Sequence, residues 1–330
     1  MSKLEITIAC SPYDRVTPLM DGRIQPEGID LNIIPLDVEE TFWRQLRYKE
    51  FEGSELSFSS YVLSMARGDN RFIAIPVFTS RFFRHSCVFI NTNKGIETPQ
   101  DLREKIIGVP EYQLTAGLWL RGIFQHIYNV APNEMHWRFG GLETPNRQEK
   151  INIDLPPDVD YQPIPKGKTL SQMIETGEID AIFSPRVPSP ILNGSPHVRR
   201  LFENYVQVEK DYYIQTGIFP IMHCVGFQRE FYQAHPWIAQ SLFKAFQQAK
   251  DLVIDNYNNT SALFTTLPWQ VDMVEDTSKI MGKDYWPYGI EKNRNVIEVF
   301  CRYSYEQGLS KRLMTVEELF AKECFDEYII

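Results

Sequence analysis

The chain has 330 residues, of which 43% are hydrophobic, 13% aromatic and 23% charged, and its formal net charge is −9. That balance marks a globular protein with room for two compact lobes and excludes a disordered chain. It leaves no basic excess to displace counterions from a nucleic acid, so no nucleic-acid partner is expected, although a local cationic pocket is compatible with it.

No stretch approaches the roughly 18 apolar residues of a membrane helix. Met1–Ile8 runs directly into a strand-like pattern without the apolar core of a secretory signal, so a cytoplasmic protein with no membrane partner is expected. The five cysteines (Cys10, Cys87, Cys224, Cys301, Cys324) are odd in number, widely spaced and without a CxxC pair. They read as reduced, core-filling thiols and not as a zinc site or disulfide frame.

In chain order, apolar alternation predicts strands over 4–9 and 29–34. Asp37 and Glu40 have the spacing of a capping box, and Val38, Phe42 and Leu46 then recur at helical intervals to about Lys49. A short strand over 55–58 runs into Ser59 and Ser60, which suit a helix start through 61–66. Strands follow over 72–78 and 87–91, then a capped start at Thr98-Pro99, a strand over 106–109 and a long helix over 114–128. Segment 143–168 is rich in proline and polar residues and reads as a loop or insertion. A helix ending on Gly177 precedes a strand over 179–183; a strand over 218–227 contains His223; helices close the chain at 236–256, 293–307 and 315–320. Strands alternating with helices predict an α/β protein with parallel sheets covered on both faces.

The motifs of common cofactor and nucleophile chemistry are absent: no GxGxxG, no GxxxxGK followed by Ser or Thr, no HExxH and no GxSxG. What remains is a set of polar and cationic residues at the carboxyl ends of predicted strands, where open α/β sheets bind ligands. Tyr13, Asp14 and Arg15 follow the first strand; Ser59, Ser60 and Tyr61 follow the third. Arg81, Arg84 and His85 stand where the chain is expected to cross between lobes. Glu111 and Tyr112 precede a helix with Thr115 in its first turn; Ser184 and Arg186 follow a later strand; His223 lies within the returning one. Each has a plainer reading. Arg15 is equally suited to a surface pair with Asp14 or Asp21, contributing roughly 0–1 kcal/mol. Ser59 and Ser60 suit helix caps, Arg81 and Arg84 a solvated face, His85 and His223 a neutral core, and Glu111 the surface.

The runs Tyr13-Asp14-Arg15, Leu19-Met20-Asp21-Gly22, Pro26-Glu27-Gly28-Ile29-Asp30-Leu31, Val38-Glu39-Glu40-Thr41-Phe42 and Glu55-Leu56-Ser57-Phe58-Ser59-Ser60-Tyr61 form one pattern. It continues through Gly217-Ile218-Phe219-Pro220-Ile221-Met222-His223, Ala234-His235-Pro236-Trp237-Ile238-Ala239, Trp286-Pro287-Tyr288-Gly289 and Arg302-Tyr303-Ser304-Tyr305-Glu306-Gln307-Gly308-Leu309. In this the chain resembles the 4,5-dihydroxyphthalate decarboxylase family over nearly its whole length. The resemblance implies a two-lobed α/β fold like that of type 2 periplasmic binding proteins, with a ligand cleft between the lobes. It implies one lobe from 1–91 with 217–330 and a second from 92–216.

It also implies cofactor-independent decarboxylation of a hydroxylated aromatic acid, foremost 4,5-dihydroxyphthalate to protocatechuate, with no organic cofactor; the dispersed histidines and cysteines, for their part, offer no metal site. The partner is then a small aromatic carboxylate. His223 or His85 is the expected proton donor, Glu111 or Asp14 the group at the catechol oxygens, and Arg81, Arg84 or Arg15 the carboxylate anchor. Ser59, Ser60, Tyr61, Tyr112, Thr115, Ser184 and Arg186 complete the expected binding set. The other reading is a non-catalytic solute-binding protein for a small carboxylate. A homo-oligomer is compatible with the aromatic-rich C-terminal helices, whose apolar faces would suit association.

Overall fold

The computed structural model describes residues 3–325. Its strands, in chain order among the described residues, are β1 (Leu4–Cys10), β2 (Ile29–Pro35), β3 (Gly53–Ser57), β4 (Phe72–Arg81), β5 (Val88–Asn91), β6 (Ile106–Val109), β7 (His136–Phe139), β8 (Tyr161–Pro163), β9 (Ala181–Phe183), β10 (Val198–Arg200) and β11 (Ile221–Gln228). They form two sheets, ordered β2-β1-β3-β11-β4 and β10-β5-β9-β6-β7-β8. The chain divides into two compact units around these sheets. Unit 1 takes the described residues up to Arg81, then Ile221–Glu298 and from Met314 onward; unit 2 takes Phe82–Pro220 and Val299–Leu313.

In unit 1, β1 pairs in parallel with β2 along its full length and with β3 on its other side. Alternation along β1 buries Ile6 and Ile8. Strand β3 is central and buried at every position, although its sequence, Gly-Ser-Glu-Leu-Ser, is barely apolar. β11 runs antiparallel between β3 and β4, and its pairing with β4 is interrupted by register shifts on both sides of His223. Helix Val38–Tyr48 buries Thr41, Phe42 and Gln45. The capping box expected at its start does not form: Asp37 makes no side-chain cap, and Glu40 instead accepts from Arg44 at 3.0 Å, the i,i+4 partner that an exposed helix face offers.

In unit 2, β6 pairs in parallel with β7 and β9, and β7 with β8, whereas β5 is antiparallel to both β9 and β10. The expectation of wholly parallel sheets is therefore corrected at β5, β10 and β11. Helix Leu170–Thr176 carries a capping box from Thr169 to Gln172 and ends on Gly177 at φ 75, a backbone state that glycine adopts without a Cβ penalty. Leu170, Ile174, Ile179 and Ile182 pack with Phe89 in one apolar cluster.

The unit boundaries differ from the expected 91/92 and 216/217. Residues 88–91 pair with β9 and β10, which holds them in unit 2, and the second half of helix Arg294–Glu306 also belongs there. Helix Tyr205–Thr216 has no counterpart in the sequence reading because it has no apolar stripe; only Tyr212 is buried. Among the described residues no helix is long and apolar enough to cross a membrane.

Gly122, in helix Thr115–Tyr128, lies directly beneath the Tyr303 ring, where a Cβ would overlap the aromatic carbons. Gly122→Ala is expected to destabilise the protein by about 1–3 kcal/mol, read as a lower urea midpoint at an unchanged slope.

Candidate active site

The strongest concentration of buried polarity in unit 1 is at Glu55. Its position in the central strand removes the side chain from water completely. The carboxylate is supplied with donors from around it. Oε1 accepts from Tyr13 Oη at 2.8 Å, from Thr79 Oγ1 at 2.9 Å and from His223 Nδ1 at 2.7 Å; Oε2 accepts from the Ser11 amide at 3.2 Å. Burial by itself would raise the Glu55 pKa, but the His223 charge and these hydrogen bonds outweigh it and hold the carboxyl below its ordinary value. Tyr13 is driven the opposite way, by burial first and then by Glu55, so its hydroxyl remains a donor.

Cross-strand pairing explains the Glu55–His223 contact. His223 stands opposite Ser57 and Val225 opposite Glu55, so Glu55 and His223 are diagonal neighbours on one face of the sheet. The irregular β4–β11 pairing lies alongside, where Thr79 is brought to the same carboxylate. Because Glu55 is an acceptor, His223 carries its proton on Nδ1 toward it. Nε2 makes no hydrogen bond among the described residues, and the His223 side chain keeps 16% of its surface open. Phe42 meets the imidazole edge-on, with ring centroids 4.9 Å apart.

Arg15 is attached to the same frame. Its Nε donates to the Thr79 carbonyl at 2.8 Å, its NH2 group reaches the same oxygen, and NH1 pairs with Asp14 at 2.9 Å. The guanidinium carbon lies 4.3 Å from the Tyr13 ring centroid and 4.1 Å from that of Trp286. Three of its five N–H groups are thus directed, and two remain for a ligand. Asp14 accepts from Arg15 and from the Tyr257 hydroxyl. Among the expected residues, the structure therefore draws His223, Arg15 and Asp14 together.

Other expected residues have different work. Tyr61 is buried and its hydroxyl bridges the Leu319 carbonyl and the Ala74 amide, which commits it to the core. Helix Phe58–Ala66 is capped by Ser57, whose oxygen accepts from the Ser60 amide, and not by Ser59 or Ser60. Both of those serines are buried, and Ser60 borders a cavity of only about 10 Å³. Arg81 is buried and donates to the Pro287 carbonyl and to Asn293, a structural bracket within unit 1.

In unit 2, His85 is enclosed by Tyr128, Phe202 and Tyr212, with neither ring nitrogen hydrogen-bonded. Burial lowers its pKa to about 4, so it is neutral at pH 7. Arg84 stacks on Phe82 at 4.6 Å and points NH1 at Cys87. Glu111 is buried but fully engaged, accepting from Arg147 Nε at 2.9 Å, the Lys150 amide at 3.2 Å and Gln113 at 2.9 Å. Tyr112 lies under the Arg121 guanidinium at 3.6 Å, and Thr115 is buried at its helix start. Ser184 accepts from the Arg186 amide at 3.1 Å, while Arg186 is exposed. An open recess of about 330 Å³ borders Asn91, Lys94, Glu175 and His197 and includes none of the expected residues. Among the described residues no three His, Cys, Asp or Glu side chains gather as a metal-ligand set.

Against known proteins, the chain is 40% identical over all 330 residues to a 4,5-dihydroxyphthalate decarboxylase of Comamonas testosteroni, covering 100% of each chain. The chain belongs to the 4,5-dihydroxyphthalate decarboxylase family. A second relative of that name, from Pseudomonas putida, is 41% identical over 213 residues, 64% of this chain and 83% of its own. No family model matches. Among solved structures, the aliphatic sulphonate binding protein SsuA of Escherichia coli superposes with a TM-score of 0.57 at 11% identity, covering 98% of this chain and 99% of its own. A putative sulfonate-binding protein from Methylobacillus flagellatus reaches 0.58 at 11% identity, covering 98% and 93%. These likenesses establish the two-lobed binding-protein fold for this decarboxylase-family chain.

The residues missed at the centre are Glu55 and Thr79. A glutamate in a strand flanked by Gly, Ser and Leu was the available signal, since a carboxylate inside a sheet demands donors.

A second carboxylate of this decarboxylase-family member, Glu149 in unit 2, lies largely among neutral donors: the Tyr112 amide and the Tyr161 hydroxyl. Burial first, opposed by these bonds and aided by Glu111, raises its pKa to about 7. A raised carboxyl contributes stability that is complete below its unfolded pKa and lost as pH rises through about 7. Between pH 5 and 8 the wild-type urea midpoint should therefore fall more than that of Glu149→Gln, which has no proton to lose.

Proposed function

We infer that this chain is a 4,5-dihydroxyphthalate decarboxylase, a carbon–carbon lyase that releases CO₂ and leaves protocatechuate. The observation that carries the reading is the 40% identity sustained over the full length of both chains. The Glu55–His223 pair supports it as chemistry, because it presents a single oriented imidazole nitrogen on a frame that, through Tyr13 and Thr79, also holds the Arg15 cation.

Direct loss of CO₂ from an arene would leave an aryl anion whose lone pair lies in the ring plane and gains no resonance. Protonating the carboxyl-bearing carbon first avoids this. One hydroxyl of the substrate is para to that carbon, so as its O–H proton leaves, electron density is pushed to the point of protonation. His223, protonated on Nε2, delivers that proton to the ring carbon and forms a cyclohexadienone carboxylate. The C–CO₂ bond then breaks, its electron pair returns to the ring, and the phenolate is restored. Reprotonation of the phenolate and of His223 closes the cycle, with one proton consumed per CO₂ released.

Each residue has a role in this scheme. Glu55 fixes the tautomer by accepting Nδ1–H and stabilises the imidazolium. Arg15, through its two undirected N–H groups, anchors the spectator carboxylate. Asp14, beside Arg15, is the acceptor for the catechol O–H. Phe42 at the imidazole edge supplies an apolar wall, suited to a departing carboxylate whose charge disappears. The likeness to sulphonate-binding proteins concerns the scaffold, and function resides in the site.

His223→Gln keeps side-chain bulk and removes the titratable nitrogen. With 4,5-dihydroxyphthalate as substrate, CO₂ release should fall by about 10²–10⁴-fold in kcat with KM nearly unchanged. Wild-type turnover in that variant would remove histidine from the mechanism, and absence of CO₂ from 4,5-dihydroxyphthalate with the unaltered protein would remove the activity.

A further inference from the structure

Tyr13 stands in two structures at once. Its hydroxyl donates to Glu55 Oε1 at 2.8 Å, the same oxygen that receives His223 Nδ1 at 2.7 Å. Its ring face lies 4.3 Å from the Arg15 guanidinium carbon, and Trp286 covers that carbon at 4.1 Å. One rigid side chain with two rotatable bonds thus ties the orientation of the imidazole to that of the guanidinium. Thr79 makes a parallel tie, with its side chain on Glu55 and its carbonyl on Arg15. The Tyr13 hydroxyl remains protonated because burial and the adjacent carboxylate both oppose its ionisation, so the donor persists through turnover.

We propose that Tyr13 is a positioning residue for the decarboxylation, holding His223 through Glu55 and Arg15 through its ring, so that proton delivery and carboxylate anchoring share one frame. The inference rests on the function read above. It separates the two contributions by atom: the hydroxyl serves kcat and the ring serves KM. A tyrosine that only filled space would not divide them in this way.

Three variants test it in steady-state decarboxylation of 4,5-dihydroxyphthalate. Tyr13→Phe keeps the ring on Arg15 and deletes the donor to Glu55; kcat should fall by about tenfold while KM stays within about twofold. Tyr13→Leu deletes both, so the same loss in kcat should be joined by a rise of several-fold in KM, on the order expected for one lost cation–π contact. Trp286→Leu removes the other ring beside the guanidinium without touching Glu55, and should raise KM with kcat retained; Tyr13→Phe, the conservative variant, decides the role of the hydroxyl even if Tyr13→Leu does not fold, as judged by circular dichroism. Wild-type kcat in Tyr13→Phe would overturn the proposal, as would equal losses of kcat in Tyr13→Phe and Trp286→Leu. His223→Gln distinguishes the levels: if it is inactive while Tyr13→Phe is normal, the decarboxylase reading stands and the role of Tyr13 falls; if it retains full turnover, the histidine role falls and that of Tyr13 with it, whereas absence of CO₂ with the unaltered protein removes the decarboxylase reading itself.

Discussion

Removing a carboxylate from water inside a β-sheet costs several kcal/mol unless donors replace the lost hydration. Glu55 is wholly buried in β3, and unit 1 meets that demand with the Ser11 amide, the Tyr13 and Thr79 hydroxyls and the His223 imidazole. These donors come from the segment after β1, from β4 and from β11. The strand order that places β3 between β1 and β11 is what brings them within reach. Packing alone would tolerate an apolar residue at this position more cheaply. The charged one has a use: it gives the imidazole a fixed tautomer, and it links the imidazole to Arg15 through two shared neighbours.

The buried polar groups of unit 2 show what a different environment does to the same chemistry. Glu111 is neutralised by Arg147 and by Lys150, whose ammonium is 3.6 Å away, so its charge is spent on tying segment 147–150 to the start of helix Thr115–Tyr128. Glu149, two residues after Arg147, receives only neutral hydrogen bonds and is pushed up to about 7. Arg121 is fully buried and is pulled below its usual value, chiefly by burial, with Gln307 and the Tyr112 carbonyl as its hydrogen-bond partners. His85 is driven to neutrality by an aromatic cage. Of the two histidines weighed as proton donors, only His223 has both a carboxylate to orient it and an open nitrogen.

The fold is one that binding proteins for sulphonates also use, and at 11% identity most of their side chains differ. What such a scaffold offers is the carboxyl ends of parallel strands, where loops can carry polar groups without unravelling the sheet. In this decarboxylase-family chain, Asp14 and Arg15 occupy that position after β1, while the histidine comes from an antiparallel strand inserted beside β3. A carboxylate–imidazole pair is thus built into the sheet itself, tied through Tyr13 and Thr79 to the arginine of the loop after β1.

The amino-acid sequence by itself determined the α/β class, the family, most helices with apolar stripes, and three residues that the structure groups at the candidate site: Asp14, Arg15 and His223. Those features depend on local periodicity or on long runs of matching residues. It did not disclose helix Tyr205–Thr216, which buries one residue, or the short strands β7, β8 and β10, whose three or four residues are too few for a period. Nor did it separate Arg81 and Tyr61, which serve the core, from Arg15, since an arginine or tyrosine at a strand end reads alike in either role. Glu55 and Thr79 are brought to the candidate site only by tertiary structure. They lie 168 and 144 residues from His223 along the chain, and which of them meet depends on strand register and on an irregularity between β4 and β11. Register is set by the whole sheet packing at once, and no local pattern encodes it.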